Sequence, residues 1–233
     1  ESATTLSHAV GGRRSSGNPP AASVGSATGV VSGHVANSVT ITYTLPTGCK
    51  TTKAVTVNPL PGAISGTTPV CVGSTITLTD AGSGTWSSSN VSLAIVGSAT
   101  GLVSGVASGT PTITYTLGTG CKAIANLTVN PVPNAGSISG SAAFCEGSAI
   151  ALVDTTSGGV WSSADSAVAS VDAYGVVNGE SGGVTLISYT TTNSCGSASA
   201  TTSVTVDPTP AVDTIGGPVV TCSGTTITLT NTV

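Results

Sequence analysis

Charge is almost missing from this sequence. Lysine and arginine together number 5 and the acids 9 among 233 residues. The cations are Arg13, Arg14, Lys50, Lys53 and Lys122, too scattered to make the basic stripe that nucleic acid requires. No apolar run approaches the roughly 18 residues of a spanning helix, so no membrane span is expected. Methionine is absent and no leader is recognisable, so the chain reads as a processed product or a fragment. No Cys-x-x-Cys occurs and no cysteines cluster with histidine, which argues against zinc. His8 and His34 are the only histidines, and no nucleophile-elbow motif accompanies them. The acids Glu1, Asp80, Glu146, Asp154, Asp165, Asp172, Glu180, Asp207 and Asp213 form no close pair suited to acid–base work. The expectation is a protein without catalysis, cofactor or metal.

What remains is mostly Gly, Ser, Thr, Ala and Val. With 39% hydrophobic residues, a mean hydropathy of +0.39 and a net charge of −4, the chain lacks the profile of a disordered segment. Thr and Val suit strands, and the 31 glycines and 12 prolines suit turns.

An internal repeat organises the whole sequence. CVGSTITLTD at 71–80 returns as CEGSAIALVD at 145–154 and CSGTTITLTN at 222–231. TGVVSG at 28–33 returns as TGLVSG at 100–105 and YGVVNG at 174–179. TITYTLPTGCK at 40–50 matches TITYTLGTGCK at 112–122, and ISYTTTNSC stands at 187–195. Units end on VTVNPLP, LTVNPVP and VTVDPTP, whose Val57, Val129 and Val206 lie 72 and 77 residues apart. A period of this size marks a tandem array. Within a unit, Ile76 and Leu78 alternate with threonines, as do Ile113, Tyr115 and Leu117. That period of two describes half-buried strands. Trp86 and Trp161 occur once per unit between two cysteines, and the Asn-Pro or Asp-Pro step stops the last strand. Short strands, frequent turns and one tryptophan between cysteines predict an all-β fold of tandem immunoglobulin-like β-sandwiches. Trp86, Trp161, Tyr43, Tyr115 and Tyr189 are the expected core aromatics. The expected divisions are 1–61, 62–133, 134–210 and a tail, 211–233.

These motifs together resemble the bacterial Ig-like repeats of large secreted surface proteins, particularly those of Bacteroidota. The resemblance covers nearly the whole chain. It implies an extracellular or cell-surface location and a role as stalk, adhesin spacer or fibre subunit, with no catalytic residues to carry over. It also directs attention to the Asp-Ser/Thr-aliphatic steps at 165–167 and 213–215, which look like an O-glycosylation signal and make Ser166 and Thr214 candidate sugar sites. Asn90 and Asn126 stand in N-glycosylation sequons.

The cysteines admit two patterns. Cys71 and Cys121 are 50 residues apart, as are Cys145 and Cys195. If the strands beside them run antiparallel in facing sheets, intradomain bridges Cys71–Cys121 and Cys145–Cys195 result. The competing pattern is Cys49–Cys71, Cys121–Cys145 and Cys195–Cys222. The first pattern leaves Cys49 and Cys222 for an intermolecular bond.

The two ends look complementary. The first unit lacks an opening cysteine, carries Arg14 where others have tryptophan, and carries Thr4 where the second has Ile76. The tail offers a good strand, Thr226, Ile227, Thr228, Leu229 and Thr230. Tail and first unit, with their shared strand slot counted once, make one repeat length. The expected partner is therefore another copy: the tail inserts as a donor strand into the first unit of the next subunit, locked by Cys222–Cys49. A crop from a longer adhesin, with cell-surface or carbohydrate ligands, is the other reading. Asp80, Asp154 and Asn231 share one repeat position, most simply as an Asx turn. A calcium site near the linkers is the alternative, and no carboxylate-rich loop supports it.

Overall fold

The computed structural model describes residues 3–6, 11–210, 215–217 and 220–231. The expectations for Glu1, His8 and Thr214 lie outside the described residues. Every regular element among the described residues is a β-strand. The chain is an array of immunoglobulin-like sandwiches in two compact units, 1–131 and 132–233. The first unit contains two hydrophobic cores and the second contains one.

Alternation creates each sandwich. In Thr112–Leu117, Ile113 and Tyr115 are buried while the threonines between them are half-exposed. Asn37–Thr44 buries Val39, Ile41 and Tyr43 in the same way, and Gly183–Asn193 buries Thr185, Ile187 and Tyr189. Full burial of a side chain such as Ile113 contributes about 2 kcal/mol. In the second repeat, Thr112–Leu117 is the middle strand of one sheet, between Lys122–Asn126 and Gly84–Ser88. Leu102–Gly105 is the middle of the facing sheet, between Ala94–Val96 and Thr75–Thr77. Leu78, Val103, Trp86, Ile113 and Leu127 fill the space between them. The third repeat has the same order with longer strands, Gly183–Asn193 and Gly196–Asp207. The first repeat pairs Arg13–Ser16, Asn37–Thr44 and Lys50–Val57 in one sheet, and Ala3–Thr5, Val30–Gly33 and Ala22–Val24 in the other.

A repeated aromatic joint fixes the two sheets together. Trp86 pairs across the strand with Tyr115, with ring centroids 4.6 Å apart and planes at 46°. The Tyr115 hydroxyl accepts from the Gly84 N–H at 2.7 Å and donates to the Gly82 carbonyl at 2.7 Å. A buried phenol thereby satisfies its polar end while pinning the loop ahead of the tryptophan strand. Trp161 and Tyr189 repeat the joint at 4.8 Å, and Tyr189 bonds the Gly159 N–H and the Thr156 carbonyl. The TG.VSG motif serves the same place. Gly101 has φ +68, and a Cβ on it would collide with the Leu78 carbonyl oxygen and lie 3.1 Å from the Trp86 ring. Only glycine combines that backbone conformation with that approach.

Trp161 departs from the expectation of a core residue. It is half-buried and packs against the edge of the third core, whereas Trp86 is buried. Leu117, which packs against the second core, has Thr191 at its place in the third repeat.

The first repeat keeps the joint with altered chemistry. Arg14 occupies the tryptophan position opposite Tyr43, and its guanidinium lies 5.2 Å from the Tyr43 ring centroid. The cation–π contact replaces part of the lost packing. Beside this contact lies a surface cleft of about 200 Å³ lined by Leu6, Arg14, Ile41, Tyr43, Thr51, Thr52 and Lys53.

Replacing Tyr115 by Phe is expected to lower stability by about 1–2 kcal/mol, because the part-buried Gly84 N–H and Gly82 carbonyl lose their partner. Urea unfolding checks this against Tyr174→Phe, at a site 88% exposed, which should change nothing measurable.

Candidate functional site

The residues that single out this chain are its cysteines and its two ends. The second and third repeats and the tail each have an opening cysteine in a short turn. The Ser74 N–H donates to the Cys71 carbonyl, the Ser148 N–H to that of Cys145, and the Thr225 N–H to that of Cys222. In the second repeat the opener lies on a parallel pair, with Val70 beside Val129 and Cys71 beside Asn130, at the very end of the last strand. In the third, Phe144 lies beside Val206 and Cys145 beside Asp207. The closing cysteine sits at the other end. Cys121 is in the turn between Thr112–Leu117 and Lys122–Asn126, and Cys195 is in the hairpin tip closed by the Asn193 and Gly196 pair.

This geometry overturns the expected intradomain bridges. Gly196–Asp207 is one 12-residue strand. At about 3.3 Å per residue, Cys195 and Cys145, which lies beside Asp207, are separated by roughly 40 Å along it. The second repeat separates Cys121 from Cys71, which lies beside Asn130, by roughly 30 Å on the same rise. A disulfide needs its Cα atoms within about 7 Å. Cys121 and Cys145 are accordingly free, as are Cys49 and Cys222, so the neighbour pairs Cys49–Cys71, Cys121–Cys145 and Cys195–Cys222 are not formed either. Cys71 and Cys195 are disulfide-bonded. The expectation erred by setting opener and closer on one rim. The parallel pairing of the opener with the last strand sends them to opposite rims.

The end slots differ from their counterparts. Ala3–Thr5 pairs with Val30–Gly33, Thr4 opposite Val31, in the register by which Ile76 opposes Val103. The slot expected to receive a donor strand is thus held by the chain's own residues 3–5. In the tail, only Thr230–Asn231 is a strand, paired with Ile215–Gly216. Thr226, Ile227, Thr228 and Leu229 are not in a strand and are exposed. Leu229 is 57% exposed, whereas its counterparts Leu78 and Leu152 are 1% and 2% exposed. At the other edge, Val55 and Val57 are half-buried, whereas their counterparts Leu127, Val129, Val204 and Val206 are buried. Among the described residues, no strand stands beside Val57 as Val70–Cys71 stands beside Val129.

Residues 60–129 match the family described as Bacterial Ig-like domain (group 2). The second repeat is a bacterial Ig-like domain. Among solved structures, a C-terminal fragment of intimin, in complex with the intimin-binding domain of the translocated intimin receptor, is 18% identical. The match covers 64% of each chain with a TM-score of 0.43. Drosophila N-cadherin EC1-4 is 12% identical over 85% of this chain and 67% of that one, with a TM-score of 0.37. Domains 1–6 of the surface layer protein SbsC are 17% identical over 90% of this chain and 37% of that one, with a TM-score of 0.29. The chain thus spans less than two thirds of the intimin fragment and little more than a third of the surface layer fragment. No curated relative matches it.

The remaining polar residues of these Ig-like domains are structural in geometry. Asp154 makes the expected Asx turn, its Oδ1 accepting from the Thr156 N–H at 2.8 Å and from Thr156 Oγ1 at 2.6 Å. Asp80 does not: both its carboxylate oxygens are buried without a hydrogen-bond partner. Gly82 stands where Thr156 stands, so the hydroxyl donor is missing. Among the described residues, no three His, Cys, Asp or Glu side chains are grouped to hold a metal ion. His34 Nε2 lies 2.9 Å from Ser23 Oγ, both at the surface. A working nucleophile also needs a group that orients the base, and the only acid in the first repeat, Glu1, lies outside the described residues. Ser166 is exposed in a turn where the Ala167 N–H donates to Asp165 Oδ1. An open depression of about 470 Å³ on the third repeat is lined by uncharged residues, Asn134, Thr155, Thr156, Ser157, Thr191 and Thr192 among them.

In the monomer, iodoacetamide without reductant should label Cys49, Cys121, Cys145 and Cys222 and spare Cys71 and Cys195, read by peptide mass. A linked Cys71–Cys121 or Cys145–Cys195 peptide is the contrary result.

Proposed function

We propose that this chain is a non-catalytic structural subunit of an extracellular fibre, in which residues 211–233 of one copy complete the first Ig-like domain of the next. The observation that carries the reading is a mismatch at the two ends. The first domain has a surface cleft of about 200 Å³ beside Leu6, with Arg14 in place of tryptophan and Thr4 in place of an isoleucine. The tail has Ile227 and Leu229 exposed at the spacing by which Ile76 and Leu78 fill the second domain. A donated strand gains backbone pairing and buries alternate side chains in existing pockets. Since residues 3–5 hold the slot in the isolated chain, donation is an exchange: the tail displaces them and puts larger apolar groups in their place. The contact is head-to-tail and does not close on itself, so it propagates into a filament. Few charges on the subunit oppose such stacking. Ser166, exposed on the third domain, is free to carry sugar on the fibre surface.

A second reading rests on the tail itself. Ile215–Gly216 pairs with Thr230–Asn231 as Ile138–Gly140 pairs with Ala149–Asp154. That pairing repeats the one at the start of the third sandwich, which favours a stalk of a long cell-surface adhesin that presents a ligand-binding region at a distance.

Negative-stain microscopy separates the two. The purified chain should form filaments, and the double variant Ile227→Asp, Leu229→Asp should lower the filament fraction at least tenfold with the first three domains still folded. A chain that stays monomeric at high concentration, or a variant that polymerises as well as the parent, supports the stalk instead.

A further inference from the structure

Charge is spread unevenly along the chain. Residues 1–61 hold four of the five cations and one of the nine acids, whereas residues 134–210 hold six acids and no cation. Four of those six acids gather at one rim of the third domain, the rim where the domain ends. Asp207 closes the last strand, and its carbonyl accepts from the Glu146 N–H at 2.8 Å. Glu180 directly follows Val176–Gly179, and the Gly179 carbonyl accepts from the Gly147 N–H at 2.9 Å. Asp165 donates its N–H to Thr185 Oγ1 at 3.0 Å, near the start of Gly183–Asn193, where Gly183 lies opposite Val206. Asp165, Glu180 and Asp207 are exposed and Glu146 is half-buried.

The second domain has the same rim without the charge. Val72, Asn90, Val106 and Asn130 stand at the four positions. Asn90 Oδ1 accepts from the Ser92 N–H as Asp165 Oδ1 accepts from the Ala167 N–H, and Asn130 lies beside Cys71 as Asp207 lies beside Cys145. The fold therefore does not need the acids. Glu146, Asp165 and Glu180 accept from the Thr209 N–H, the Ala167 N–H and the Ser170 hydroxyl, all neutral donors, so their charges stay uncompensated within the domain. Like charges on one rim repel each other, a cost for which the isolated domain gives no reason.

The first domain carries the opposite sign at its other rim. Arg13 begins Arg13–Ser16 and Lys50 begins Lys50–Val57, and the two flank Thr44 from either side. Both are exposed, beside the hairpin that holds Cys49. Lys50 has Lys122 as its counterpart, while Arg13 adds a second cation where the other domains have Thr85 and Val160.

We propose that the acidic rim of the third domain docks on the basic rim of the first domain of another copy and so directs head-to-tail joining. This deepens the fibre reading above and rests on it. In that reading the tail enters the next copy's first domain through Ile215–Gly216, the counterpart of Ile138–Gly140, which begins beside Asp154 at the hairpin rim of its own domain. Only residues 208–214 separate Asp207 from that entry, and seven residues span at most about 25 Å. The linker thus brings the acidic rim of one copy to the basic rim of the next. Exposed ion pairs add little to equilibrium strength. Complementary fields act on encounter, where they raise association rates by roughly ten- to a thousandfold and fade as salt shortens their reach. Strand exchange holds the joint, and the charges decide which rim meets which and how fast.

Elongation of the full chain is followed by light scattering, with negative-stain microscopy on the same samples. Parent filaments should elongate at least tenfold faster at about 0.01 M than at about 1 M salt, between which the Debye length falls from about 30 Å to about 3 Å. A chain with Glu146→Val, Asp165→Asn, Glu180→Val and Asp207→Asn, the residues of the second domain, should lose that advantage and elongate at low salt at least tenfold more slowly than the parent. Two charge-reversed chains give a rescue. Glu180→Lys with Asp207→Lys, and Arg13→Glu with Lys50→Glu, should each be slow alone and should recover the parent rate when mixed, as alternating filaments. Parent filaments whose rate ignores salt, a fourfold variant as fast as the parent, or a mixture as slow as its components overturns the rim docking and leaves the fibre reading standing. Filaments that need added calcium and stop on chelation assign the acidic rim to a cation and overturn the docking as well. A parent that forms no filaments at any salt removes both.

Discussion

One stretch of antiparallel pairing governs each sandwich: the tyrosine-bearing strand against the strand that carries the tryptophan. Tyr115 opposite Trp86 and Tyr189 opposite Trp161 set the register of the sheet. The phenol reaches past the end of the neighbouring strand to bond backbone groups on both sides of the incoming loop. The glycine of the TG.VSG turn packs under the same indole and ties the second sheet to the first. Remove the ring and the contact between sheets loses its widest apolar surface. Remove the hydroxyl and the Gly84 N–H and the Gly82 carbonyl lose their side-chain partner. A domain of about 75 residues has a small core, so one such joint carries an unusual share of its order.

In the first domain the joint is weaker, and the packing around it suffers. Arg14 over Tyr43 keeps an electrostatic contact but surrenders volume, and a surface cleft lies beside it. The same domain leaves Val55 and Val57 half-buried at the edge that its neighbours cover. The tail carries Ile227 and Leu229 at the spacing by which Ile76 and Leu78 fill the second domain.

Much of this was legible in residue order. The repeat period located the sandwiches, and alternation located the buried face of Thr112–Leu117 and its counterparts. The equivalence of Arg14 with Trp86, and of Thr4 with Ile76, holds as strand register because a period-two pattern tolerates no slip by one residue. The partial exposure of Trp161 was not legible, because the local pattern around it matches that around the buried Trp86. Asp80 and Asp154 look alike in sequence and differ in bonding through one residue two positions on.

Sequence alone determined that the chain folds as a series of similar β-sandwiches, since binary patterning and turn residues act locally and repeat with the chain. It did not determine how the cysteines pair. An equal spacing of 50 residues reads the same whether two side chains share a rim or face away across the full length of a strand. Only the tertiary structure decided that, because the opening segment runs parallel to the last strand and ends beside its terminus. Parallel pairing is a contact between distant residues, and nothing in the order of neighbours announces its direction.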